Sequence, residues 1–359
     1  MKLTHARVTK YRSIEDSTEV PVEADITALV GKNESGKTAF LQGLRRLNPV
    51  DGVAFELTTD YPRNQLAAYR RRHARSPDVA VTARFDFTEE DLLEVERRFG
   101  PGILLENHVV VRRNYRGELT VDLAVSEAQV VAQVLQTRTD LSPEALEAAS
   151  MAQSFQELFS ILEPFTANNR GAAVLAQVAL QLEANPLAAR VWNESLEARL
   201  PRFVAFGDED VMPSAISVDS LIDPSRRDEP GVATVLALLD LAGVDPNELD
   251  PSDQSYEDLK ARIESAALNV TDELVTYWPH DKELEVMIDV APAGAKDEQF
   301  EAGTAVLRIR VGNRRKRTSL PLGERSRGFA WFFSFLVRLC QLGEHVAPTI
   351  LLLDEPALS

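Results

Sequence analysis

Hydrophobic and polar positions alternate with period two over Lys2 to Lys10 (KLTHARVTK) and again over Val79 to Phe87 (VAVTARFDF), as in strands that bury one face. Ile26 to Val30 is a short apolar run and predicts another strand, with helical spacing following from Thr38 to Leu47. Pro49, Asp51 and Gly52 close that helix. Residues 51–78 are polar and irregular, broken by Pro62 and Pro77. Thr88 before Glu89, Glu90 and Asp91 predicts an N-cap and an acidic first turn, with a helix running to Arg98. Val109 to Arg113 and Glu118 to Val125 predict two strands around a turn at Arg116-Gly117.

From Ser126 to about Leu200 alanine, leucine, glutamine and glutamate dominate at helical spacing, with breaks near Ser142-Pro143, Pro164 and Pro186. Residues 201–231 predict a short strand and then a loop, and residues 232–244 and 254–277 are helical again. Strand texture returns at Glu283 to Val290 and Thr304 to Val311, a helix is expected from Ser326 to Gly343, and Thr349 to Leu353 (TILLL) reads as a buried strand. At 359 residues the chain suggests two domains, or one large domain with an insertion.

Composition changes this picture little: 44% hydrophobic and 26% charged residues are ordinary for a globular chain able to bury a large core. No run of about 18 uncharged apolar residues occurs, and the N-terminus is charged too early for a signal peptide, so a cytoplasmic protein without a membrane partner is expected. The lone Cys340 excludes an intrachain disulfide and a cysteine-rich zinc site, and the five histidines lack metal spacing. A net charge of −17 disfavours nucleic acid over the surface as a whole, but not at a local basic patch. Two patches exist, Arg70, Arg71, Arg72 and Arg75 with His73, and Arg314, Arg315, Lys316 and Arg317; each reads first as a solvated turn or face.

The chemistry enters at Gly31-Lys32-Asn33-Glu34-Ser35-Gly36-Lys37-Thr38, which matches G-x-x-x-x-G-K-[ST] between the expected strand and helix. The glycines let successive N–H groups face phosphates, the helix N-terminus adds its dipole, Lys37 reaches the β and γ phosphates of ATP, and Thr38 offers its hydroxyl to Mg²⁺. Thr349 to Pro356 (TILLLDEP) fits a Walker B strand, with Asp354 holding Mg²⁺ and Glu355 as general base for water. Four apolar residues would bury it as a central parallel strand. Upstream, Ser326 and Gly328 open an apolar helix (ERSRGFAWFF) placed like the signature motif of ATP-binding-cassette (ABC) ATPases, which faces the γ-phosphate of the opposite subunit. Trp331, Phe332, Phe333 and Phe335 read as core.

The order of P-loop, long insertion, signature helix and Walker B resembles the recombination-repair ABC-type heads, above all the OLD (overcoming lysogenisation defect) family. Local likenesses are Tyr11-Arg12-Ser13, Asp60-Tyr61-Pro62-Arg63, Pro201 to Phe206, and Arg325 to Phe335. The resemblance implies an α/β P-loop head of the ABC-ATPase type with a helical, dimerising insertion, closing head-to-head on two ATP molecules, and an arginine at the position of Arg12 near the nucleotide. The expected division is 1–125 and 276–359 for the head and 126–275 for the insertion. In that family a D-loop, a switch histidine and a Toprim nuclease follow Walker B. This sequence departs by ending at Ser359, His345 precedes Walker B, and an N-terminal fragment is therefore expected. The first expectation is an ATPase in a homodimer or higher oligomer that regulates a DNA endonuclease, in phage defence, with DNA and a nuclease or helicase as partners. The competing readings are a RecF/SMC-like DNA clamp and a nucleotide sensor without turnover.

Overall fold

The computed structural model describes residues 1–183, 185–227, 229–249, 256–277, 283–294, 297, 299–343 and 348–354. The chain divides into two compact units, Met1–Val204 with Ala347–Ile350, and Ala205–Val346 with Leu351–Ser359.

The first unit opens with β1 (Lys2–Tyr11), β2 (Ile14–Asp16), β3 (Val20–Pro21), α1 (Lys37–Arg45), α2 (Leu57–Asp60), α3 (Arg63–Arg70), β4 (Val79–Asp86), α4 (Glu89–Phe99), β5 (His108–Asn114) and β6 (Leu119–Asp122). These strands form an antiparallel sheet in the order β2-β1-β4-β5-β6, with β3 also on β1. The period-two pattern explains it: Ala6, Val8, Val81, Ala83, Phe85, Val109 and Val111 are buried. Helix α1 buries Ala39, Phe40, Gly43 and Leu44, one stripe of the helix. At Gly43 helix and sheet approach closely: a Cβ there would lie 2.7 Å from Val8 Cγ1 and 3.4 Å from Tyr11 Cδ1. Thr88 caps α4 as the sequence predicts, and Asp91 returns the bond in a reciprocal box.

Helices α5 (Glu127–Gln136), α6 (Pro143–Ala149), α7 (Phe155–Leu162), α8 (Arg170–Glu183) and α9 (Leu187–Val191) follow. Ser126, Ser142 and Ser154 cap α5, α6 and α7 by accepting from Gln129, Ala145 and Glu157 N–H groups, each cap worth about 1 kcal/mol. The breaks fall where expected, at Ser142-Pro143, Pro164 and Pro186.

One strand expected here is absent. Ile26 to Val30 is irregular, and Ile26 and Val30 are 83% and 93% exposed. An apolar run becomes a strand only where a neighbouring edge takes its N–H and C=O groups. Among the described residues no ladder partner meets this segment.

The chain crosses between units along β7 (Arg202–Phe206) and β12 (Thr349–Leu353), which pair with each other. Arg202 N donates to Pro348 O and Asp354 N to Phe206 O, so the two strands run parallel. The expectation of a fully buried β12 needs correction. Only Leu352 is buried and Leu351 is 37% exposed, because apolar side chains on both faces need a covering layer on each.

The second unit contains β8 (Ala215–Ser217), α10 (Val218–Ile222), α11 (Val232–Leu241), α12 (Tyr256–Tyr277), β9 (Leu284–Pro292), β10 (Ala305–Asn313), β11 (Thr318–Pro321) and α13 (Arg327–Gly343). β9 pairs along one edge of β10, and β8 and β11 share the other. Val286, Ile288, Leu307, Ile309, Phe329 and Phe333 belong to one core with α11 and α12. Each such side chain contributes about 1.5–3 kcal/mol on burial. Thr271 of α12 donates to Ala267 O and accepts from Val286 N, which joins that helix to β9. The region expected to be a loop after β7 holds β8 and α10, and β11 was also unforeseen. All three are too short for periodicity to show. Arg314 to Lys316 and Arg317 form the β10–β11 turn, the plain reading of that patch.

Candidate functional site

In the first unit the residues Gly31 to Gly36 form an exposed loop that enters α1. Two residues have positive φ, Glu34 at 63° and Gly36 at 93°, and a Cβ on Gly31 would sit 2.8 Å from Ser35 Oγ. The loop thus curls as a phosphate-binding loop requires, with glycine where a side chain would collide. Lys37 Nζ donates to Gly31 O at 3.0 Å and Lys32 O at 2.9 Å, arching back over the loop. No acidic residue lies in the first turn of α1, whereas α4 starts with Glu89, Glu90 and Asp91. The positive end of α1 is therefore not neutralised by its own side chains. Thr38 is exposed on the same turn, and Asn33 and Ser35 lie in the loop.

The β1–β2 turn lies against this loop. A Cβ on Gly36 would lie 3.4 Å from Ile14 Cγ1 and 3.8 Å from Ser13 Oγ. Arg12 precedes Ser13, in a left-handed conformation with φ 49° and a half-exposed side chain. Its N–H donates to Asp60 O at 2.6 Å, and its Nε is 3.7 Å from Asp60 Oδ1. The structure thus places Arg12 near the Gly31–Gly36 loop, through residues adjacent to it in sequence.

Beneath Arg12 lies a buried polar and aromatic cluster. Asp60 is fully buried, accepting from Arg46 Nη2 at 3.2 Å on Oδ1 and from Glu56 N at 2.9 Å on Oδ2. Arg46 also donates to Tyr11 Oη. Tyr115 Oη donates to Lys10 O and Asp60 O, and Tyr61 stacks on Tyr69 with centroids 4.1 Å apart. Burial pushes the Tyr11 and Tyr115 hydroxyls above the ordinary phenol range. Burial also opposes the charge on Arg46, but Tyr11 and Asp60 more than offset this and hold the guanidinium above its usual value. In the sequence Asp60 stands out only within the Asp60–Arg63 family likeness, and no local pattern marks Arg46.

In the basic patch Arg72 pairs with Asp78 and lies over the Tyr69 ring, and His73 Nδ1 is 2.8 Å from Tyr69 Oη. Arg70, Arg71 and Arg75 are exposed.

The second unit holds the other motif residues. Asp354 follows β12 beside Gly207, whose Cβ would lie 3.6 Å from Asp354 Cβ. The next residue, Asp208, pairs with Arg327 at 2.6 Å. Ser326 is exposed and caps α13, accepting from Phe329 N, and Gly328 lies in the first turn. That turn also lacks an acidic residue. Trp331 and Phe333 are buried, and Phe206 packs edge-on against Trp331 and Phe335, so the aromatic run is core. Glu355 and His345 lie outside the described residues. Among the described residues no group of three or more metal-ligating side chains is present, and no helix is long and apolar enough to cross a membrane.

No family model matches the chain, and no curated protein matches it. Among solved structures it is similar to the SmcHead bound to the C-winged helix domain of ScpA, at 12% identity over 97% of this chain and 78% of that one, with a TM-score of 0.34. It is also similar to the Smc head domain with an extended coiled coil bound to the C-terminal domain of ScpA from Pyrococcus furiosus. That match has 12% identity, covers 100% and 83% of the two chains, and has a TM-score of 0.32. A third structure, described under ATP-driven dimerization and DNA stimulated activation of SMC ATPases, matches at 15% identity over 45% of this chain and 99% of that one, with a TM-score of 0.22. TM-scores this low establish neither fold nor function.

Proposed function

We propose that the chain is an ATP-binding and ATP-hydrolysing head of the ABC type, of the RecF/SMC kind. The observation that carries this reading is the curled Gly31–Lys37 loop, its lysine arched over it, opening a helix free of first-turn acids. Those features suit a polyphosphate. Lys37 and the loop from Gly31 through Asn33, Glu34, Ser35 and Gly36 hold the phosphates, and Arg12 approaches them from the β1–β2 turn. Thr38 and Asp354 are the proposed Mg²⁺ ligands, and the ion, when bound, supplies charge neutralisation at the phosphates. Glu355 orients and deprotonates the attacking water. Ser326 and Gly328 serve the nucleotide of a second copy, so ATP joins a homodimer.

Within that reading the finer proposal is an OLD-family head that regulates a Toprim-type DNA endonuclease, with DNA as partner and phage defence as the setting. A DNA clamp without cleavage uses the same head, and a plasmid-nicking assay on the native gene product separates the two. The head itself is tested by fluorescent ATP binding and phosphate release. Lys37→Ala should lose about 10²–10³-fold in turnover, and Glu355→Gln should abolish turnover while keeping ATP bound in a dimer. Wild-type turnover no higher than that of Lys37→Ala would refute the assignment.

A further inference from the structure

We propose that Asp60 is a positioning residue for Arg12, setting the arginine that faces the nucleotide without touching the nucleotide itself; this rests on the ATPase reading above. A fully buried carboxylate is costly unless paired and hydrogen-bonded, and Asp60 is held by Arg46 and by Glu56 N. One side of the residue is thereby fixed to the body of the unit, through Arg46 of the segment following α1. The other side grips Arg12 twice. Its carbonyl accepts from Arg12 N at 2.6 Å, which secures a left-handed turn that a residue other than glycine adopts at a cost. Its carboxylate lies 3.7 Å from Arg12 Nε. Tyr115 Oη ties the same carbonyl to Lys10 O, so both ends of the turn share one anchor.

Arg46 comes just after α1, the helix the phosphate loop opens, and Arg12 comes just before Ser13, which abuts Gly36. Asp60 therefore links the loop's helix and the arginine through two guanidinium contacts on one carboxylate. A charge placed by such a link acts on developing phosphate charge through its position, and small displacement is expected to cost turnover more than binding.

The test is steady-state ATP hydrolysis, with ATP binding measured separately, for wild type, Arg12→Ala, Asp60→Asn and the double variant. Asp60→Asn should lower kcat about 10-fold or more, as Arg12→Ala does. KM and ATP affinity should move less than about threefold, and the double variant should be no slower than the worse single one. Multiplying losses, or a fall in stability with kcat per folded molecule unchanged, would overturn the assignment. Should Asp60→Asn not fold, Tyr115→Phe keeps the ring and removes only the hydroxyl on the shared carbonyl. It should lower kcat a few-fold at unchanged affinity, and an unaltered kcat would overturn the proposal. Absence of ATP turnover in the wild type would instead refute the ATPase reading, and this assignment with it.

Discussion

At Gly43 local propensity and packing disagree. It lies inside α1, where alanine would favour the helix by about 1 kcal/mol. A Cβ there would meet Val8 Cγ1 at 2.7 Å, Val8 Cγ2 at 3.3 Å and Tyr11 Cδ1 at 3.4 Å. Val8 and Tyr11 are fully buried, so neither can swing into solvent. Overpacking of this kind costs about 1–3 kcal/mol, which exceeds the propensity gain over most of that range. Gly43→Ala should therefore destabilise the protein by up to about 2 kcal/mol, read as a lower urea midpoint at unchanged slope. On the proposed ATPase reading ATP affinity should fall as well, because α1 opens directly from the Gly31–Gly36 loop. Val8→Ala removes both offending methyl groups, so Gly43→Ala should cost less in a Val8→Ala background than in the wild type. A Gly43→Ala variant more stable than wild type would refute the close approach of α1 to β1.

Two further outcomes follow from the same unit. Burial opposes the charge on Asp91, but the Arg199 guanidinium, the Met1 ammonium and Thr88 more than offset it, lowering its carboxyl from 3.8 to about 2. Its stabilisation, about 2 kcal/mol, is complete above the unfolded value and lost as pH falls from roughly 4 through 2. Asp91→Asn should flatten the acid limb of denaturant stability over that window, and an unchanged limb would contradict the pairing. Gly171→Ala places a Cβ 2.3 Å from the Asp140 carbonyl oxygen, so it should lower the urea midpoint by a shift worth about 1–3 kcal/mol even though it lies in a helix; a neutral result would contradict that contact.

Much of the fold was legible where periodicity is long. β1, β4, α4, the serine-capped helices and α12 all follow from side-chain spacing and capping chemistry. Ile26 to Val30 and β12 mark the limit of that reasoning. Both are apolar runs, but strand formation and burial depend on what stands alongside, which a local pattern does not contain. The Gly31–Thr38 motif was legible because it sets glycines at fixed spacing, and Gly36 does adopt a positive φ there. The Asp60 cluster was not, because its members Tyr11, Arg46, Asp60 and Tyr115 are scattered along the chain. The available signal was the concentration of tyrosines in this stretch: Tyr11, Tyr61, Tyr69 and Tyr115 are four of the six in the chain.

The pairing of β7 with β12 has a consequence for how the protein is made. Arg202 bonds to Pro348, and Ala347–Ile350 belong to the same unit as the N-terminal residues. At 5–20 residues per second, the ribosome needs roughly 7–30 seconds to reach Pro348 after Arg202. Throughout that interval β7 lacks this partner. The first unit is closed only after nearly all of the second has been synthesised, and ordering so distant a contact should make its closure a slow step in refolding.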